Sequence, residues 1–187
     1  KMDLNYKAGK KEQTGKYKND KPSGLWIWYY PNGAVKKQEY FRKGKPEGEY
    51  VEYDEEGNEI VRGEFFNGKP EGLWVYQYND HYSKGEYSEG DKNGKWVETY
   101  LKTGKKRFEG EFTYGIPKGK HKSYYPNGRL KFFGKFKSGN RHGVWRFYRD
   151  DGTLAIEVTY KYGKPISIDG ESIKNTKEVE RLLKEME

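Results

Sequence analysis

Histidine is the usual side chain for proton transfer and metal binding near neutral pH. This chain has three, His81, His121 and His142. No two of them stand at a ligand spacing such as His-x-x-x-His. Cysteine is absent, which removes thiol nucleophiles, disulfides and Cys-based zinc sites. Gly9-Lys-Lys-Glu-Gln-Thr-Gly15-Lys16-Tyr17 superficially resembles a phosphate loop. It has one residue too many between its glycines, and Tyr17 stands where Ser or Thr must reach Mg²⁺. No Gly-x-Ser-x-Gly elbow occurs. Asp54-Glu55-Glu56 falls in a turn, where solvation explains it. No catalytic residue, metal site or cofactor is expected, and the chain is not read as an enzyme.

Charge is more informative. The net charge is +8, and from Ile116 to Arg149 there is no Asp or Glu. Lys120 and Lys122 flank His121 there, and Lys135 and Lys137 flank Phe136. In strands, period-2 alternation puts those lysines on one face, opposite the rings. Arg146, at the offset of Lys122 one repeat later, joins them. Around Glu47 to Glu64 the balance is acidic instead. Large rings form a second candidate set: Trp26, Trp28, Tyr30, Trp74, Tyr76 and Phe147. Trp and Tyr dominate binding hot spots, and a single sheet cannot hide both faces. The partner-binding candidates are these six rings with Lys120, Lys122, Lys135, Lys137 and Arg146. The competing reading is structural stacking for the rings and a solvated face for the cations.

These residues need a scaffold, and internal repetition supplies it. Gly-x-ring recurs at Gly24-Leu-Trp26, Gly48-Glu-Tyr50, Gly72-Leu-Trp74, Gly94-Lys-Trp96, Gly119-Lys-His121 and Gly143-Val-Trp145. A second signature, ring-x-x-Gly, runs in phase from Phe41–Gly44 to Tyr160–Gly163. Aromatic residues reach 17% and hydrophobic ones only 32%, so rings rather than aliphatics must carry the packing. Each unit reads as a β-hairpin. Its turn is expected at Asn32-Gly33, Glu56-Gly57, Thr103-Gly104, Asn127-Gly128 or Asp151-Gly152, as type I′. Four-residue links such as Gly44-Lys-Pro-Glu47 would then lead into the next unit. After Ile173, Val179, Leu182, Leu183 and Met186 follow helical spacing, so a capping helix is expected over about Thr176–Met186.

The motifs Gly24–Gly33 (Gly-x-Trp-x-x-Tyr-Tyr-Pro-Asn-Gly) and Phe41–Gly48 (Phe-x-x-Gly-Lys-Pro-x-Gly) resemble the MORN repeat. More closely, they are similar to the bacterial MORN variant of YwqK-like antitoxins, over roughly residues 5 to 165. His121 departs from the ring expected in its unit. The expected fold is all-β: an elongated single-layer antiparallel sheet of tandem hairpin repeats with a short C-terminal capping helix. The array would occupy 1–166, with a partial copy over 1–23 and repeats starting at 24, 48, 72, 94, 119 and 143; the linker and helix would occupy 167–187. The resemblance implies a non-enzymatic, monomeric interaction module that masks a partner protein such as a toxin. The alternative is an envelope or surface tether that binds anionic lipid, or another acidic partner, through the basic C-terminal half. Nucleic acid ranks below both, since no recognised nucleic-acid motif is present. No apolar run reaches the length of a membrane helix. An antitoxin would be cytoplasmic; a leader trimmed before Lys1 would instead imply a periplasmic or extracellular location.

Overall fold

The computed structural model describes residues 2–5, 11–173 and 181. Its elements in that range are all strands: β1 Met2–Asn5, β2 Lys11–Lys18, β3 Lys21–Tyr29, β4 Val35–Arg42, β5 Lys45–Tyr53, β6 Glu59–Phe66, β7 Lys69–Gln77 and β8 His81–Ser88. They continue as β9 Asp91–Tyr100, β10 Lys106–Thr113, β11 Ile116–Tyr124, β12 Leu130–Lys137, β13 Asn140–Tyr148, β14 Leu154–Lys161, β15 Lys164–Ile168 and β16 Glu171–Ser172. The chain divides into two compact units, Lys1–Lys92 and Asn93–Glu187. In the first, β1 to β8 pair antiparallel, each with its neighbour in sequence. In the second, the same holds from β9 to β16. The helix expected over Thr176–Met186 lies outside the described residues apart from Arg181.

The turns depart from expectation in an instructive way. At Tyr30-Pro31-Asn32-Gly33, Gly33 N–H donates to Tyr30 O at 2.9 Å and Tyr30 N–H to Ala34 O at 2.8 Å. The central pair is therefore Pro31-Asn32, not Asn32-Gly33. Proline cannot take a positive φ, so type I′ is barred, and only Gly33 is left-handed, at φ 92°. Asn32 Oδ1 accepts the Ala34 N–H at 2.8 Å and closes the loop. The type I′ pair sits instead in the presumed link, at Lys43 (φ 53°) and Gly44 (φ 84°). Lys45, Pro46 and Glu47 then belong to β5 rather than to a link.

Alternation sends one face of each sheet inward. In the second unit Trp145, Phe147, Ile156, Val158 and Tyr160 form a buried cluster, against which Phe132, Phe136, Ile168 and Ile173 pack. In the first, Trp26 and Trp74 are buried on that face, and Val51 is buried on the other. Packing is ring against glycine. A Cβ at Gly15 would meet the Trp26 ring at 2.2 Å, one at Gly63 the Trp74 ring at 2.2 Å, and one at Gly134 the Trp145 ring at 2.0 Å. Each indole N–H then reaches a backbone carbonyl one residue beyond its glycine: Trp26 to Lys16 (3.3 Å), Trp74 to Glu64 (3.2 Å) and Trp145 to Lys135 (3.1 Å).

Candidate functional site

The ring positions that depart from this rule show how strict it is. His121 lies over Gly110, where a Cβ would meet its ring at 2.6 Å. His121 Nε2 is 3.0 Å from Glu111 O. A carbonyl only accepts, so Nε2 carries the proton and the imidazole replaces the indole donor. Burial pushes the His121 pKa down, against weaker raising effects of the Glu111 and Lys118 backbone and the Glu111 charge. Phe108, Phe112 and Phe136 pack edge-on around the ring at 4.6–5.5 Å. In the first unit Glu39 takes the glycine's place and Tyr50, its partner across the strands, the indole's. Buried Glu39 accepts from Lys37 Nζ at 3.0 Å. The Tyr50 hydroxyl donates to the Glu52 carboxylate. Burial, then that hydrogen bond, raises the Tyr50 pKa.

Most candidate rings are committed to these internal contacts. Trp26 and Trp74 are 3% exposed and Phe147 2%. Their faces are consumed by the sheet's own packing, so they are not accessible anchors. Trp28 is half-buried, with Lys37 Nζ 3.9 Å above its ring. Tyr30 donates its hydroxyl to Tyr53 O at 2.8 Å, tying one hairpin turn to the next. Tyr125 repeats this contact to Tyr148 O at 2.8 Å. Tyr76 is stacked between Trp74 (5.8 Å) and Tyr78 (6.1 Å).

The candidate cations behave differently. Register places Lys120 opposite Lys135, and Lys135 opposite His142. The next row on the same face runs Lys122, Phe133, Arg146, Glu157. Gly134, Phe136 and Trp145 alternate onto the other face, so all five candidate cations share the side opposite the rings. Lys122 Nζ lies 3.6 Å from Glu109, and Arg146 Nε 2.8 Å from Glu157. Glu109 also takes Lys106 at 2.9 Å and the Tyr124 hydroxyl at 2.9 Å. The Lys106 hydrogen bond leads in holding the Glu109 pKa down at about 2. Lys120, Lys135 and Lys137 are exposed and in no ion pair among the described residues. His142 completes the unneutralised row, a member that sequence spacing did not single out. Its link to Lys135 comes from the strand register.

Among the described residues, the three histidines stand apart from one another. His81, the first residue of β8, pairs with Asp80 at 2.6 Å and stacks on Tyr78 at 4.7 Å. His121 is buried and His142 lies exposed in β13. Among the described residues, no group of three or more His, Asp or Glu could hold a metal ion. No helix among them is long and apolar enough to cross a membrane.

Three segments, residues 22–43, 117–132 and 141–162, match the model of the MORN repeat variant. MORN repeats are commonly protein- or lipid-binding modules rather than enzymes, which is compatible with a non-enzymatic binding role. No curated protein matches the chain. The matched segments contain Trp26, Lys120 and Trp145, so ring positions and part of the basic row fall within repeat sequence.

Proposed function

We propose that the chain is a non-enzymatic binding module that masks an acidic protein surface, with the unneutralised row Lys120–Lys135–His142 and Lys137 as its contact. One observation carries this reading: Lys120 and Lys135 are direct cross-strand partners. Like charges placed opposite each other are destabilising. An acid at either position would replace the cost with an opposite-charge pair of the Arg146–Glu157 kind. An acidic partner relieves it equally well, and gains long-range attraction from a row without counter-charges. An antitoxin is the case in which the masked partner is a toxin.

The test is retention of a purified acidic partner by immobilised protein at physiological salt. Wild type should retain it, and the double variant Lys120→Glu/Lys135→Glu should not. Equal retention by the two would contradict the reading. Co-sedimentation with anionic but not neutral vesicles, in the absence of protein binding, would favour a membrane tether instead.

A further inference from the structure

Two left-handed turns of the first unit, at Asn67-Gly68 and Glu89-Gly90, share a device. Glu47 of β5 accepts the backbone N–H of Asn67, the first residue of the turn after β6, at 2.8 Å. Glu71 of β7 does the same for the Glu89 N–H after β8, also at 2.8 Å. Each acid is the third residue of its strand. The third residue of β3 is Ser23, and the matching turn amide is that of Lys43. Serine brings no carboxylate. Among the described residues, the Lys43 N–H has no hydrogen-bond partner.

The side chains around this amide are cationic. A cavity of about 540 Å³ is lined by Lys18, Asn19, Lys21, Ser23, Arg42 and Lys43, within the size range of small-ligand clefts. Lys18 stands directly opposite Lys21, and Arg42 opposite Lys45, two like-charge cross-strand pairs at one cleft. Arg42 is 76% exposed and meets Glu47 only at 3.9 Å. Lys18, Lys21 and Lys43 form no ion pair among the described residues.

We infer that this cleft binds a carboxylate of an acidic peptide segment, held by the Lys43 N–H and surrounded by Lys18, Lys21 and Arg42. Carboxylate is the favoured anion because the fold places one on the equivalent amide in both following turns. The cleft uses none of the residues of the Lys120–Lys135 row, and either site can fail without the other.

The experiment follows the amide resonances of the full-length, isotopically labelled chain during titration with hexaglutamate. Expected is a saturable downfield shift of the Lys43 amide proton. Ser23→Glu, which supplies the carboxylate from within, should weaken the peptide's affinity about tenfold or more, the worth of a charge-assisted hydrogen bond. Lys84→Gln makes the same change in net charge at an exposed position of β8 and should leave affinity near wild type. Arg42→Gln is the second cleft variant and should also weaken binding. The inference is overturned if the Lys43 amide does not move, or if Ser23→Glu binds as wild type does. It is also overturned if Lys84→Gln weakens binding as much as the cleft variants, or if inorganic phosphate moves Lys43 and the peptide does not.

Discussion

Two rows of side chains cross the same face of β11, β12 and β13. In one, Lys122 and Arg146 flank Phe133 and are met by Glu109 and Glu157. In the other, Lys120, Lys135 and His142 follow one another with no acid between them. Both rows are equally basic by composition. Register divides them: it brings Glu109 and Glu157 to the first row and leaves the second with like charges side by side. Basic composition alone therefore does not mark a docking surface. In the reading proposed above, the marker is the positive charge left after the sheet has made its own pairs.

Both rows rest on the ring layer beneath, so removing a ring should have the largest effect. Trp145→Ala should cost about 3–5 kcal/mol of stability, while Gly134→Ala, which forces a Cβ into the same ring, should cost about 1–3 kcal/mol. Denaturant unfolding measures both, and a Gly134→Ala variant as stable as wild type would remove ring-over-glycine packing as the support of this face.

His121 gives a smaller, pH-dependent effect. Burial holds its folded pKa below the ordinary 6.5, so at mildly acidic pH the unfolded chain binds more protons than the folded one. The neutral ring's contribution is full above about pH 6.5 and is lost as pH falls towards the folded pKa. The unfolding midpoint should drop over that window, and His121→Trp, which keeps the ring donor without the titration, should flatten the drop. An identical pH profile in the two proteins would contradict the assignment.

The smallest effect tests the rows against each other. Glu157→Gln frees Arg146 and should cost only about 0.2–1 kcal/mol, since the pair is partly exposed. It should also tighten binding of an acidic partner, measurable by titration calorimetry. Unchanged affinity would show that unpaired charge on this face does not govern docking.

Much of this was legible in the sequence, and the misses have physical causes. Gly-x-ring and ring-x-x-Gly marked the hairpins, because both are local and recur. At Asn32-Gly33 the Asn-Gly pair misleads because Pro31 decides which pair is central; the Asp54–Gly57 and Arg149–Gly152 loops close in the same way with no proline to signal it. The glycines beneath the rings, Gly15, Gly63, Gly110 and Gly134, each precede a ring by 11 residues. That spacing was available, but its meaning needs the register. Phe147 looked like an accessible ring because its burial by Ile156 and Val158 depends on packing between strands. Lys122 and Arg146 looked free for a similar reason: Glu109 and Glu157 lie outside the acid-free stretch and reach it only across the sheet.

The most direct test is the unfolding free energy of Lys120→Glu. If the Lys120–Lys135 pair is a strain kept for binding, the substitution places an acid opposite Lys135 and should raise stability by about 0.2–1 kcal/mol, while lowering affinity for an acidic partner. Stability equal to or below that of wild type would show that the pair costs the fold nothing, and the reason for assigning this row to a partner would be gone.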